Sequence, residues 1–354
     1  MTRLSKLLLA AFVTCSFAAS GQSRSAEPAA KAPVDPAPWV NVSDPVVAKL
    51  KADGKKLGYP GDTAGVVVDV ASGDVYMIVA GLGIWKSTDG GKTFARVDDG
   101  KIGGRCESSF ALNADPAGKR IACFMLDGPC AWTGDSGATW NPMTGVGRNW
   151  DYAAVDWSGD GVKNIFAAHH EDGGQTYHST DGGKSWTKLF KQAEFDKTGG
   201  LGIFDANTLV YTQKGSGIQR STDGGQTWMK ISDTEATGRV VRVLNGTAYW
   251  MAKDGILISK DKGATWTKQG TAVDATIGPM LDAKNEKHMA AAGMKGIFET
   301  SDGGETWKQV GNLPPGFSMA KAGWFANVAW DPARDIFYAS QMGKPTYKLE
   351  VGKK

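Results

Sequence analysis

An all-β ring of repeated four-stranded units is the fold class this sequence predicts, on three observations. First, an eight-residue turn recurs six times: "STDGGKTF" (87–94), "TGDSGATW" (133–140), "STDGGKSW" (179–186), "STDGGQTW" (221–228), "SKDKGATW" (259–266) and "TSDGGETW" (300–307). Its aspartates, Asp89, Asp135, Asp181, Asp223, Asp261 and Asp302, stand 46, 46, 42, 38 and 41 residues apart. A period near forty marks one supersecondary unit per repeat. Second, each period holds β-branched or alternating runs of strand length, with Gly, Asn and Asp between them. Third, 47 glycines and 13 tryptophans among 354 residues, with 41% hydrophobic content, describe a turn-dense chain with ample material for a core.

Taken in chain order, residues 1–26 carry Arg3 and Lys6, then an apolar run from Leu7 to Ala19 and the small residues Ala18, Ala19 and Ser20. This is the layout of a secretory signal peptide, with an apolar run too short to span a membrane. "EPAAKAPVDPAP" (27–38) reads as a Pro/Ala-rich linker. The propeller-like region is then 39–354. "WVNV" (39–42) resembles the strands that follow the boxes, such as "WTKL" (186–189) and "WMKI" (228–231). "SDPVVAKLKADG" (43–54) reads as a short helix with Ser43 or Asp44 as N-cap, Pro45 in the first turn and Gly54 as a stop.

Seven innermost strands follow: "VVVDV" (66–70), "FALNA" (110–114), "AAVDW" (153–157), "GIFDA" (202–206), "VRVLN" (241–245), "GPMLD" (278–282) and "NVAWD" (327–331). Seven second strands accompany them, from "VYMIVA" (75–80) to "IFYAS" (336–340). Third strands lead into the boxes, and the seventh is "TYKLEV" (346–351), with no fourth strand after it. The N-terminal "WVNV" is expected to complete that last blade. Splicing the two chain ends into one sheet closes a ring and leaves only short edges. Six blades with the tail packed outside is the alternative.

The turn itself has a physical logic. Glycine supplies positive φ, the aspartate accepts bonds from nearby backbone N–H groups, and the aromatic residue that follows buries a large ring between units. On these residues the chain resembles seven-bladed β-propellers of the Asp-box, or BNR-repeat, family, among them sialidases, xyloglucan-acting glycosidases, sortilin-type receptors and photosystem II assembly-factor propellers. In such families the box lies opposite the binding or active face. The resemblance therefore assigns the six aspartates a structural role, and each box offers one carboxylate alone, which is no calcium site.

Charge and cysteine content narrow the classes. Loss of residues 1–26 removes Arg3, Lys6 and Arg24 and no acid, leaving 37 basic against 37 acidic residues. A neutral chain with no basic run predicts no nucleic-acid partner. Cys15 lies in the signal, behind a "FVT" that makes a poor lipoprotein site, and Cys106, Cys123 and Cys130 remain. No metal or haem spacing occurs, so no metal and no cofactor is expected. For an oxidising compartment, periplasmic or extracellular, we expect a Cys106–Cys130 bridge with Cys123 buried and free.

Functional residues are sought in loops entering the first strands and joining second to third strands. Blade three offers His169, His170, Glu171 and Asp172 together with Arg148, Trp150 and Asp151; blade two offers Arg105, Glu107 and Asp127; blade five offers Arg239. His170, Glu171, Asp151 and Glu107 are the candidates for proton transfer. Arg105, Arg148 and Arg239 suit an anionic group, Trp150 suits a sugar face, and His169 and Asp172 complete the ligand-binding set. A sialidase would require an Arg-Ile-Pro signature, which is absent. Xyloglucan-acting enzymes enclose substrate between two propellers, and this chain supplies one. The reading is an exported propeller that binds a glycan or a protein on its loop face. A glycoside hydrolase or polysaccharide lyase, and an extracytoplasmic assembly factor, are the alternatives.

Overall fold

In the computed structural model, which describes residues 38–145, 149–192, 198–318 and 326–352, the strands form seven four-stranded antiparallel sheets. Six sheets take their strands consecutively. The seventh combines Ala326–Asp331, Ile336–Gln341 and Tyr347–Glu350 with Val40–Asn41 from the other end of the chain. The spliced seven-blade arrangement holds, and the six-blade alternative does not.

The seam is specific. Val40 pairs with Lys348 and Asn41 with Tyr347. The Val42 N–H donates to the Thr346 carbonyl at 2.9 Å, and the Thr346 N–H donates to Ser43 Oγ at 3.0 Å. The Thr346 hydroxyl then donates to Thr63 Oγ1 at 2.8 Å, which ties blade seven to blade one. Ser43 therefore does not cap the helix with its side chain. The helix spans Asp44–Ala52, and Asn41 Oδ1 takes the Ser43 and Asp44 N–H groups instead, at 3.0 and 3.2 Å.

Apolar packing lies in the gaps between blades, because both faces of each inner sheet meet a neighbour. Tyr152 and Phe166 of blade three, for instance, bury against Leu201 and Tyr211 of blade four. The first strand of blade two is shorter than expected, Leu112–Ala114 rather than 110–114, because Phe110 turns the backbone at a φ of 69°.

Each box has one geometry. In the first, Ser87 Oγ donates to Asp89 Oδ1 at 2.8 Å and receives the Gly91 N–H at 2.8 Å. Asp89 takes the Thr93 N–H at 2.9 Å and the Thr93 hydroxyl at 2.7 Å, while Gly91 sits at a φ of 85°. The same bonds recur around Asp223, where the Thr227 hydroxyl and N–H hold the carboxyl down at about 2.

A second aspartate recurs at the ends of the inner strands. The inner strands end in, or are followed within two residues by, Asp69, Asp115, Asp156, Asp205, Asn245, Asp282 and Asp331. Six of these carboxylates accept the N–H two residues on, at 2.8–3.1 Å. On the same face, Arg120 of blade two donates to the Gly161 carbonyl of blade three, and Arg334 of blade seven to the Gly73 carbonyl of blade one. The box face is thus occupied by structural bonds, which directs attention to the other end of the strands.

Candidate functional site

Two loops of blade two and two of blade three meet on the face opposite the boxes. The segment preceding Leu112–Ala114 carries Arg105 and Glu107, and the turn after Ile121–Cys123 carries Asp127 at a φ of 63°. Arg105 joins all three: Nε donates to Glu107 Oε2 at 3.2 Å, a terminal nitrogen donates to the Asp127 carboxylate, and the guanidinium lies 5.0 Å from the Tyr59 ring. In blade three, Asp151 opens the first strand and His170 follows the second, so strand pairing brings them face to face. His170 Nδ1 stands 2.6 Å from Asp151 Oδ1, and Nε2 stands 3.8 Å from Glu171 Oε2.

Electrostatics joins the halves. Burial raises the Glu107 carboxyl, opposed by Arg105 and His170. The hydrogen bond to Asp151 raises His170, helped by the charges of Asp151, Glu107 and Glu171. Glu107 and Asp151 are buried, whereas the side chains of Asp127 and Glu171 are 63% and 84% exposed. The arrangement is a layer of buried acids and a half-buried imidazole, with two exposed carboxylates at its rim, Asp127 bound to Arg105 and Glu171 beside His170. It can hold or pass a proton below, and offer negative charge above.

The remaining candidates separate from this cluster. His169 projects away from His170, edge-on to Trp150 at 5.6 Å and near Tyr177, and burial lowers its pKa. Asp172 pairs with Lys191 at 3.0 Å, which lowers its carboxyl. Two expectations are corrected. Trp150 is buried against Tyr177 and Trp186 and offers no face to a sugar, because both sides of its strand are covered. Arg239 is buried too, with one terminal nitrogen on the Gly199 carbonyl at 3.0 Å and the guanidinium over Tyr152. Arg148 lies outside the described residues.

The expected disulfide is absent. Cys106, Cys123 and Cys130 are all free and buried. Cys106 Sγ lies against blade one, so close that a Cβ on Gly65 would sit 2.6 Å from it. Cys130 Sγ accepts the Met125 N–H within its own hairpin at 3.2 Å. All three thiols pack within one buried cluster and remain unbridged there.

Sequence reasoning missed two residues. Tyr59 is 71% exposed beside Arg105, and its signal was an aromatic within the turn-rich "LGYPGD". Arg242 lines the central channel, and its signal was a basic residue in the inner strand "VRVLN", where the other six inner strands have none. Among the described residues, no helix is long and apolar enough to cross a membrane.

The BNR/Asp-box repeat profile matches residues 177–188. The dispase autolysis-inducing protein of Streptomyces mobaraensis is 31% identical over 196 residues, covering 54% of this chain and 41% of that protein. The GH74 enzyme of Niastella koreensis superposes with a TM-score of 0.55 at 16% identity, over 88% of this chain and 54% of that one. YCF48 bound to D1 peptide gives a TM-score of 0.48 at 16% identity, over 90% and 97% of the two chains. This chain therefore spans about half, or less, of the length of the first two.

Proposed function

From a seven-bladed propeller carrying Asp-box turns, we infer a recognition protein whose loop face binds a protein ligand through the cluster of blades two and three. The recognising unit is 39–354, and residues 1–26 direct it out of the cytoplasm. The observation that carries this reading is the pair of exposed carboxylates, Asp127 and Glu171, at the rim of the Arg105–Glu107 and Asp151–His170 pairs, with Asp127 held in place by Arg105. Preorganised carboxylates on a rigid rim suit Lys or Arg side chains of a partner. The Streptomyces relative, whose name records an effect on dispase, supports a protein ligand. The likeness to the GH74 enzyme supports the fold alone.

The test is direct. Full chain is mixed with dispase, binding is measured by calorimetry, and autolysis is followed on gels. Saturable binding that Asp127→Ala with Glu171→Ala weakens about tenfold or more supports the reading. No interaction with dispase, together with a positive glycan array, refutes it.

Glycan cleavage is a second reading, favoured by one observation: a carboxyl raised by burial, Glu107, and an imidazole raised by its bond to Asp151, His170, stand in one cluster, the pairing of groups that proton transfer uses. Release of reducing ends from neutral or uronate-containing polysaccharides, lost in Glu107→Gln, would support it.

A further inference from the structure

Inner strands of blades one, two, six and seven surround a central channel lined mainly by apolar residues such as Val66, Leu112, Ile277 and Val328, with Ser109, Asp115 and Asn327 among them. Arg242, from blade five, reaches across it. One terminal nitrogen donates to the Ala114 carbonyl at 2.8 Å, the other stands 3.4 Å from Asn113 Oδ1, and the guanidinium lies 5.7 Å from the Phe110 ring. These acceptors are neutral. The one lining carboxylate, Asp115, is already paired with Arg120 at 2.6 Å. Among the described residues, no carboxylate stands within ion-pair distance of Arg242.

A guanidinium in such surroundings is costly without a counter-charge. Burial lowers Arg242 to about 10, so it stays charged at neutral pH. Its five donors exceed the two acceptors at hand. The cavity beside it measures about 70 Å³, room for a small ion and accompanying water.

We propose that the central channel is a binding site for a small monovalent anion, a halide or compact oxyanion such as nitrate or formate, held by the Arg242 guanidinium. The ion supplies a close counter-charge, where Asp115, committed to Arg120, acts on Arg242 only from a distance, and it bridges blade five to blade two across the axis. The channel's volume sets the selectivity: gluconate is too large to enter. This site is separate from the loop-face cluster and stands or falls without it.

The experiment uses the full chain at fixed sodium concentration and ionic strength, with chloride, nitrate or formate replacing gluconate. Wild type is expected to show a saturable rise in Tm and chloride line broadening in NMR that nitrate competes away. Arg242→Gln should weaken both by about tenfold or more. Equal stabilisation by gluconate, or line broadening unchanged in Arg242→Gln, overturns the proposal. Should that variant fail to fold, bromide-soaked crystals of the wild type decide the matter: an anomalous peak beside Arg242 supports the site, and its absence overturns it.

Discussion

Deleting residues 38–43 removes the strand that closes the ring, and the structure sets the size of the penalty. Val42 is 6% exposed, and burying a valine is worth about 1.5–3 kcal/mol. The Thr346 N–H, buried and bonded to Ser43 Oγ, would lose its acceptor, at about 1–3 kcal/mol. The Trp39 indole would release the Asn312 carbonyl, but at an exposed position that contributes little. Together these give about 2.5–6 kcal/mol. At roughly 2 °C per kcal/mol for a large domain, Tm should fall by about 5–12 °C. Thermal unfolding followed by calorimetry measures this in the otherwise intact chain. Ser43→Ala alone should reproduce part of the fall, since it removes the Thr346 acceptor and the longer bond to Asn41 Oδ1. An unchanged Tm in the deletion would refute the reasoning that the N-terminal strand completes blade seven.

Other expectations follow from the same contacts. Trp150→Ala should destabilise by about 3–5 kcal/mol, read by denaturant unfolding, because the indole fills a buried inter-strand site. The folded pKa of His170 is raised above 6.5, so the stability it contributes is full below that value and lost as pH rises through the folded pKa. Asp151→Asn should remove that slope, and NMR titration of the imidazole should move back towards 6.5. Burial raises all three thiols, Cys130 to about 11, so a thiol reagent should label none until the chain unfolds. Asp223→Ala should lower Tm while leaving ligand affinity intact, since the box lies at the opposite ends of the strands from the cluster.

The boxes made the architecture legible because every copy uses the same side-chain bonds, so sequence and geometry repeat together. The closing strand was legible by its likeness to the post-box strands. The site was legible only in part. Arg105, Glu107, Asp127, Asp151, His170 and Glu171 come together because strand pairing fixes which loops are neighbours. Trp150 and Arg239 misled for a shared reason. Blades stack on both faces, so an inner strand such as Trp150–Val155 is buried at every residue and shows no alternation to separate core from surface. Charge misled similarly at Arg239, which satisfies a backbone carbonyl in the wall. The thiol pairing failed because chain order reveals which strands are near but not which way a side chain points.

The central claim is that recognition resides in the blade-two and blade-three cluster, and paired measurement of Kd and Tm on one variant set tests it. Asp127→Ala, Glu171→Ala and their combination are compared with Lys253→Ala and Lys295→Ala, exposed residues of equivalent turns in blades five and six. Losing a charge-assisted contact typically costs about 1.5–3 kcal/mol. On the proposed reading, affinity for dispase should fall at least about tenfold in the cluster variants, with Tm shifted little, and remain near wild type in the controls. An equal loss in cluster and control, or no loss in either, would contradict the account.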